Sequence, residues 1–316
     1  MKNSRRFAYI VTILSLWTFS GWAMVAAHAE TFHTRKGVKV EVDVVVSGLN
    51  HPWGMAFLPD DRILITERNT GNLYVLDTAH TLSMPLKGVP EVWAQGQGGL
   101  MDVALDPAFG DNRYVYLSYA KPGEGGKATT ALGRGKLVNH RIDDFQDIFV
   151  QEPYVRGSKH FGNRIEFSPD GKFVFLGLGE RFQFDPAQDL SDHLGTVIRI
   201  FPDGRVPADN PFVGRANAED EIWSFGHRNI EAMDFQPETN TLWAGEMGPK
   251  GGDELNRIKK GANYGWPIVS WGDHYIIRRI PDPPTRPEFK DAVLHWTPVI
   301  SPSGMVFYEG NMFPDW

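Results

Sequence analysis

"NRIEFSPDGKFVFLGLGE", residues 163–180, reads as two short strands joined by a turn at Pro169. Apolar and polar residues alternate in the first arm, a Ser-Pro-Asp-Gly turn follows, and the second arm is rich in Val, Phe and Leu. The same hairpin recurs in "GMAFLPDDRILITE" from Gly54, "GLMDVALDPAFGDNRYVYLSY" from Gly99 and "IEAMDFQPETNTLWAGE" from Ile230. Its turn prolines, Pro59, Pro107, Pro169 and Pro237, lie about 48, 62 and 68 residues apart. That spacing is close to the period of a propeller blade with loop insertions of variable length. A further apolar segment accompanies each hairpin: "GNLYVLD" at Gly71, "GKLVNHRID" at Gly135, "GTVIRIFPDG" at Gly195 and "DELNRIKKGANYGW" at Asp253. Each is read as a third, outer strand. The fold class is therefore all-β, a β-propeller in which "FVFLGL" and "LWAGE" lie between blades, covered on both faces. A β-sandwich spaces its strands similarly but does not predict one hairpin recurring four times with its own outer strand.

Composition agrees. The 316 residues include 33 Gly and 22 Pro, aromatics make up 12%, and no cysteine is present. No long 3.6-period segment appears after residue 30. A net charge of -7 gives no basic field for a phosphate backbone, so nucleic acid is excluded as a partner and a small molecule is expected. At the N-terminus, Lys2, Arg5 and Arg6 precede an apolar run from Phe7 to about Val25, followed by "AAHAE". Residues 1–29 read as a secretory signal peptide cut after Ala29, the competing reading being an uncleaved membrane anchor. Cleavage would leave residues 30–316 as the propeller domain, periplasmic or secreted, with no stable membrane span. A chain without cysteine is indifferent to that oxidising compartment. At the other end, "GMVFYEGNMFP" resembles the start of one more hairpin, and the expectation is a last blade that is incomplete and a C-terminally truncated chain.

Polar clusters sit in the loops between repeats: "GQGGL" at Gly96, "KHFGNR" at Lys159, "GERFQ" at Gly179, "GHRN" at Gly226 and "EMGPKGGDE" at Glu246. In a propeller, equivalent loops of different blades converge on one end of the central channel, which is the expected site. Taken singly each has a plain reading. His160 before a strand is a capped or solvated histidine or a base, "GHRN" is a tight turn, and "GANYGWP" is a packed aromatic turn. "GPKGGDE" is a flexible loop, or one whose backbone carbonyls beside Asp253 and Glu254 suit a hard cation.

Their order is more specific. "GQGGLMDVALDPAF", "HFGNRIEFSPDG", "GLGERF", "LGTVIRIFPDGRVPADNPF", "EIWSFGHRNIEAMDF" and "GEMGPKGGDELNRIKKGANYGWP" together resemble the soluble quinoprotein glucose/sorbosone dehydrogenases, most nearly the periplasmic aldose sugar dehydrogenases, from about Gly48 to Trp316. The resemblance implies a six-bladed propeller that oxidises an aldose at C1 to the lactone, with pyrroloquinoline quinone (PQQ) and calcium as cofactors. It implies His160 as general base, Glu180 as its acidic partner, and Arg228 as the cation facing charge that develops during hydride transfer. Gln97 and Asn229 fall on cofactor- and substrate-contacting positions. The carbonyls of Gly248 and Pro249 match ligands of the calcium beside the cofactor, and Glu254 and Tyr264 match a second, structural calcium. In the family, a Lys and paired Arg residues of the last blade also hold the tricarboxylate cofactor. Those segments are expected beyond Trp316, so weak cofactor binding and little or no turnover are expected of this form. Two other classes stay open: a non-catalytic propeller that binds a glycan or protein, and a calcium-dependent propeller lactonase. The electron acceptor is not specified by any motif. "WGDHYIIRRIPDPPTRP" is a channel-mouth loop in which His274, Tyr275, Arg278 and Arg279 could line the opening, a solvated loop being the default.

Overall fold

A computed structural model of the chain describes residues 30–35, 37–275, 280 and 283–313. The signal-peptide reading of residues 1–29 and the mouth residues Arg278 and Arg279 lie outside the described residues. The described residues up to Ser47 belong to a unit of their own, with an antiparallel hairpin of β1 (Glu30–His33) and β2 (Lys39–Val42). No helix among the described residues is long and apolar enough to cross a membrane.

From Gly48 onward the described residues form four antiparallel sheets in sequence order. The first holds β3 (Pro52–Phe57), β4 (Ile63–Glu67) and β5 (Leu73–Leu76). The second holds β6 (Leu100–Leu105), β7 (Tyr114–Pro122), β8 (Ala128–Val138) and β9 (Arg141–Val150). The third holds β10 (Gly162–Phe167), β11 (Val174–Leu178), β12 (Thr196–Ile200) and β13 (Ile222–Phe225). The fourth holds β14 (Ile230–Gln236), β15 (Thr241–Glu246), β16 (Asp253–Arg257) and β17 (Leu294–Trp296). Each sheet is an up-and-down meander, and the first strands β3, β6, β10 and β14 contact one another in series. This is a β-propeller arrangement.

All four turn prolines fall between the first and second strands of a blade, as the repeat requires. Two expectations are corrected. The described residues form four blades, not six; those after β17, up to Phe313, contribute no strand to a further one. The "GKLVNHRID" segment is not a single outer strand. It holds the end of β8, the tight turn at Asn139 and His140, both of positive φ, and the start of β9. Three blades also carry a fourth strand that the repeat pattern did not mark.

Apolar clusters lie between adjacent blades. Leu64 and Leu73 of the first blade pack with Leu100 and Leu117 of the second. Tyr116 and Leu132 of the second pack with Ile165 and Leu176 of the third, and Phe175 and Val197 of the third with Ile230 and Met233 of the fourth. Strand β11 is buried along its whole length because blades cover both its faces, which is why it lacks alternation.

Register between blades is fixed by polar pins at a repeated position. Every first strand carries a register shift near its start, at Pro52/Met55, Leu100/Val103, Gly162/Arg164 and Ile230/Ala232. The irregularity turns a backbone carbonyl toward the preceding blade. Thr66 of β4 donates to Met101 O at 2.5 Å, and Ser118 of β7 donates to Asn163 O at 2.6 Å. At the third junction the corresponding second-strand residue is Gly177, and Arg164 Nε donates to Glu231 O instead, at 3.1 Å. A Cβ at Gly177 would lie 2.5 Å from Ile230 Cγ2, so close packing explains the glycine.

Candidate active site

The bulged starts of the first strands and the ends of the second strands share one end of the propeller. There the segments Gln97–Gly99, Lys159–Phe161, Gly179–Phe182, Gly226–Asn229 and Glu246–Gly248 come together. They wall a cavity of about 170 Å³ whose lining includes Gln97, Lys159, His160, Arg228, Asn229 and Gly248. Sequence-distant loops thus converge as the propeller reading requires.

His160 is 4% exposed and sits at φ 52°. Its backbone N–H donates to Gln97 Oε1 at 2.6 Å, and its Nδ1 lies 2.6 Å from Glu180 Oε1. A carboxylate only accepts, so with Glu180 ionised the hydrogen-bond network assigns the ring proton to Nδ1 and leaves Nε2 as the acceptor. Phe182 packs edge-on against the ring, with centroids 5.1 Å apart. Burial holds the imidazole below its ordinary value of 6.5; the bond to Glu180 opposes this, while the positive charges of Arg228 and Lys159 add to it. Glu180 is fully buried, and its Oε2 accepts the Phe184 N–H at 2.8 Å. It stands behind the histidine and does not line the cavity.

Arg228 is held from below. Its backbone N–H donates to Glu246 Oε2 at 2.7 Å, and Nη1 donates to Met247 O at 2.8 Å and Gly248 O at 2.7 Å. Glu246 is itself fixed by His227 Nδ1 at 3.0 Å, and His227 Nε2 lies 2.9 Å from Ser224 Oγ. This Ser-His-Glu chain has the order of a hydrolytic triad, but Ser224 is wholly buried and offers no exposed nucleophile. The Nε of Arg228 is buried with no hydrogen-bond partner. Burial pulls the guanidinium below its ordinary value, and Glu180 leads the carboxylates that oppose this. Asn229 is engaged at both ends of its amide: Oδ1 accepts from Gly162 N–H at 3.0 Å and Nδ2 donates to Glu231 at 2.7 Å.

The four expected cation ligands, Gly248, Pro249, Glu254 and Tyr264, line one small cavity of about 10 Å³, room for a single water-sized occupant, together with Arg228 and Glu246. Gly248 O accepts from Arg228, and Pro249 O accepts from the Tyr275 hydroxyl at 3.1 Å. The Tyr264 hydroxyl donates to Arg257 O at 2.6 Å and accepts from Lys259 N–H at 2.9 Å, so its side chain is committed and only its carbonyl could serve a cation. Glu254 is pushed well above the usual carboxylate range by burial and by the neighbouring charges of Glu246, Asp291 and Asp253. Asp253, read from sequence as suited to a cation, is spent on backbone: it accepts from the N–H groups of Gly248, Ile300 and Ser301 at 2.8, 2.7 and 2.6 Å.

Tyr275 lines the larger cavity, whereas His274 packs its ring against Phe184 and Trp266. Lys159 and Phe182 also line it, although the motifs that contain them assign neither a role. Elsewhere His193, Glu219 and Glu221 cluster closely enough to suggest a metal site. However, His193 Nδ1 accepts the Glu152 N–H at 3.2 Å, so Nε2 carries the ring proton toward Glu221 and the neutral ring has no lone pair left for a metal.

Comparison with known proteins decides the family. A sequence profile described as Glucose / Sorbosone dehydrogenase matches residues 49–316. The chain belongs to the glucose/sorbosone dehydrogenase family. It is accordingly an enzyme of the oxidoreductase class. Its similar relatives include the aldose sugar dehydrogenase YliI of Escherichia coli (strain K12), 43% identical over 284 residues, an alignment spanning 88% of this chain and 76% of the relative. A crystal structure of glucose dehydrogenase superposes with a TM-score of 0.83 at 42% identity, covering 86% of this chain and 80% of the other. The PQQ-bound form of an aldose sugar dehydrogenase from Streptomyces coelicolor superposes with a TM-score of 0.71 at 29% identity, covering 90% of this chain and 77% of that one.

Proposed function

We propose that this protein oxidises aldose sugars at C1 to the lactone, with PQQ as electron acceptor and calcium beside it. The observation that carries the reading is the buried His160–Glu180 pair, whose histidine shares a cavity wall with Arg228. The donor set suits an anionic planar group: Arg228 keeps an unsatisfied buried Nε, and Lys159 supplies a second positive charge on the same wall. The small cavity suits a cation, because Glu246 and Glu254 line it and the charge crowding at Glu254 is relieved by a positive ion. The residues expected at two calcium sites line this one cavity, so a single cation is proposed in place of two: Gly248 O and Pro249 O each retain a lone pair beyond the bond they accept, and Glu254 and the carbonyl of Tyr264 would complete the donors. When bound, PQQ supplies a two-electron sink that takes hydride, and calcium supplies Lewis acidity.

The chain's own residues do the proton work. Nε2 of His160 accepts the proton of the anomeric hydroxyl as the C1–H pair departs as hydride, which leaves a C1=O bond. Glu180 keeps the ring proton on Nδ1 and stabilises the imidazolium that results. Arg228 sets a fixed positive charge where negative charge grows, held there by Met247 O and Gly248 O so that no reorganisation is needed. Gln97 holds the His160 backbone, and Asn229 completes the wall. A periplasmic or secreted location accords with the basic and apolar pattern of residues 1–29 and with the absence of cysteine. The test is reconstitution with calcium and PQQ, following dye reduction on addition of glucose, with His160→Ala as the variant. Loss of turnover with PQQ binding retained supports the reading; a His160→Ala protein with the parent rate overturns it.

A further inference from the structure

The strongest unassigned group is the guanidinium of Arg181, next in sequence to Glu180. It is completely buried and lies 3.6 Å over the Phe161 ring. Its partners are all backbone carbonyls: Nε donates to Lys159 O at 3.1 Å, Nη2 to Gly157 O at 2.6 Å and Nη1 to Ala128 O at 2.6 Å. The Arg181 backbone N–H donates to His160 O at 3.1 Å. In the segment 157–160 the remaining carbonyl, that of Ser158, accepts from Gln97 N–H at 2.8 Å. Three of the four carbonyls leading into the histidine therefore end on one residue, and the fourth on Gln97. The guanidinium fork also ties the segment to Ala128, the first residue of β8 in the preceding blade. A buried fork of five donors can serve several carbonyls in fixed directions, which a lysine cannot do.

We infer that Arg181 is the positioning residue for His160: it holds the 157–160 segment in the one conformation that presents the imidazole to the cavity. Consecutive residues then divide the work, Glu180 fixing the ring and Arg181 fixing the backbone that carries it. The inference rests on the reading of His160 as the base.

The test uses Arg181→Ala and Arg181→Lys in the whole chain, reconstituted with calcium and PQQ and assayed with glucose. Misplacement of the base by about an ångström costs on the order of 10²-fold in rate. Arg181→Ala is expected to lose about that much kcat while KM for glucose and the dissociation constant for PQQ change by less than about twofold, and ethylguanidinium, but not ethylammonium, is expected to restore part of kcat. In the cofactor-free protein, exchange of the Gln97 and His160 amide hydrogens is expected to speed up in Arg181→Ala and not in His160→Ala. Should Arg181→Ala fail to fold, Arg181→Lys is expected to fold and show the same two effects. Unchanged kcat and unchanged amide exchange overturn the inference, as does a loss shared equally by kcat and affinity that ethylguanidinium does not relieve. If His160→Ala keeps its activity the base reading fails instead, while the exchange measurement still decides whether Arg181 holds the segment.

Discussion

Replacing Glu180 by Gln should remove the base without removing the hydrogen bond. The carboxylate is fully buried between two partners, His160 Nδ1 at 2.6 Å and the Phe184 N–H at 2.8 Å. A backbone N–H can only donate, so it selects the oxygen of the new amide and turns the NH₂ group toward His160. Nδ1 must then accept, and the ring proton moves to Nε2, the atom required to take the substrate's proton. The whole general-base contribution is lost, about 10²- to 10⁴-fold in kcat. At about 1.36 kcal/mol per tenfold this is roughly 2.7–5.4 kcal/mol of barrier. Dye-linked glucose oxidation at saturating sugar, after loading with calcium and PQQ, measures it, and the ¹⁵N shifts of the His160 ring report the tautomer in the cofactor-free protein. A Glu180→Gln enzyme within about threefold of the parent kcat, with Nε2 shown to carry the proton, would refute the reasoning.

Two further outcomes follow from the same geometry. His160 is held below 6.5, so between its folded and unfolded values the native state binds fewer protons than the unfolded chain; its stabilising contribution is complete above 6.5 and is lost as pH falls through the folded value. The acid limb of kcat/KM should accordingly lie below 6.5, and a limb at or above that value contradicts the burial argument. Gly177→Ala places a Cβ 2.5 Å from Ile230 Cγ2 and 2.8 Å from Met233 Sδ, and should cost about 1–3 kcal/mol, read as a lower urea midpoint with unchanged slope.

The fold was legible where local chemistry repeats. Pro59, Pro107, Pro169 and Pro237 mark one turn in each blade, and the strands on either side follow from alternation or continuous burial. The outermost strands were not legible. Strand β17 is three residues long and pairs with β16 across 36 intervening residues, so no local pattern announces it. Strand β13 lies inside "EIWSFGHRN", where the polar cluster that follows obscures a four-residue strand. Blade number was inferred from kinship rather than from residues, and the four blades among the described residues correct it.

At the site, residue types were legible but their commitments were not. Asp253 has the chemistry of a cation ligand, yet three backbone N–H groups from two segments consume its oxygens, a fact fixed only by folding. Arg181 shows the converse, a side chain given no role by its motif that becomes central through contacts with the 157–160 segment and the start of β8. The backbone explains why such a residue is needed. His160, Arg181, Phe182 and Phe184 all adopt positive φ, at 52°, 56°, 61° and 67°, a region that costs a non-glycine residue about 1–2 kcal/mol. Of these, only His160 lies in the base-bearing segment; relaxation of its backbone would turn the imidazole away from Glu180 and the cavity. Charge-assisted bonds worth about 1.5–3 kcal/mol each, such as those Arg181 makes to Gly157, Lys159 and Ala128, are of the size needed to hold it. The strain and the buried cation therefore belong to one device: the propeller supplies rigid walls, and the guanidinium keeps the base-bearing segment in a conformation its own sequence does not favour.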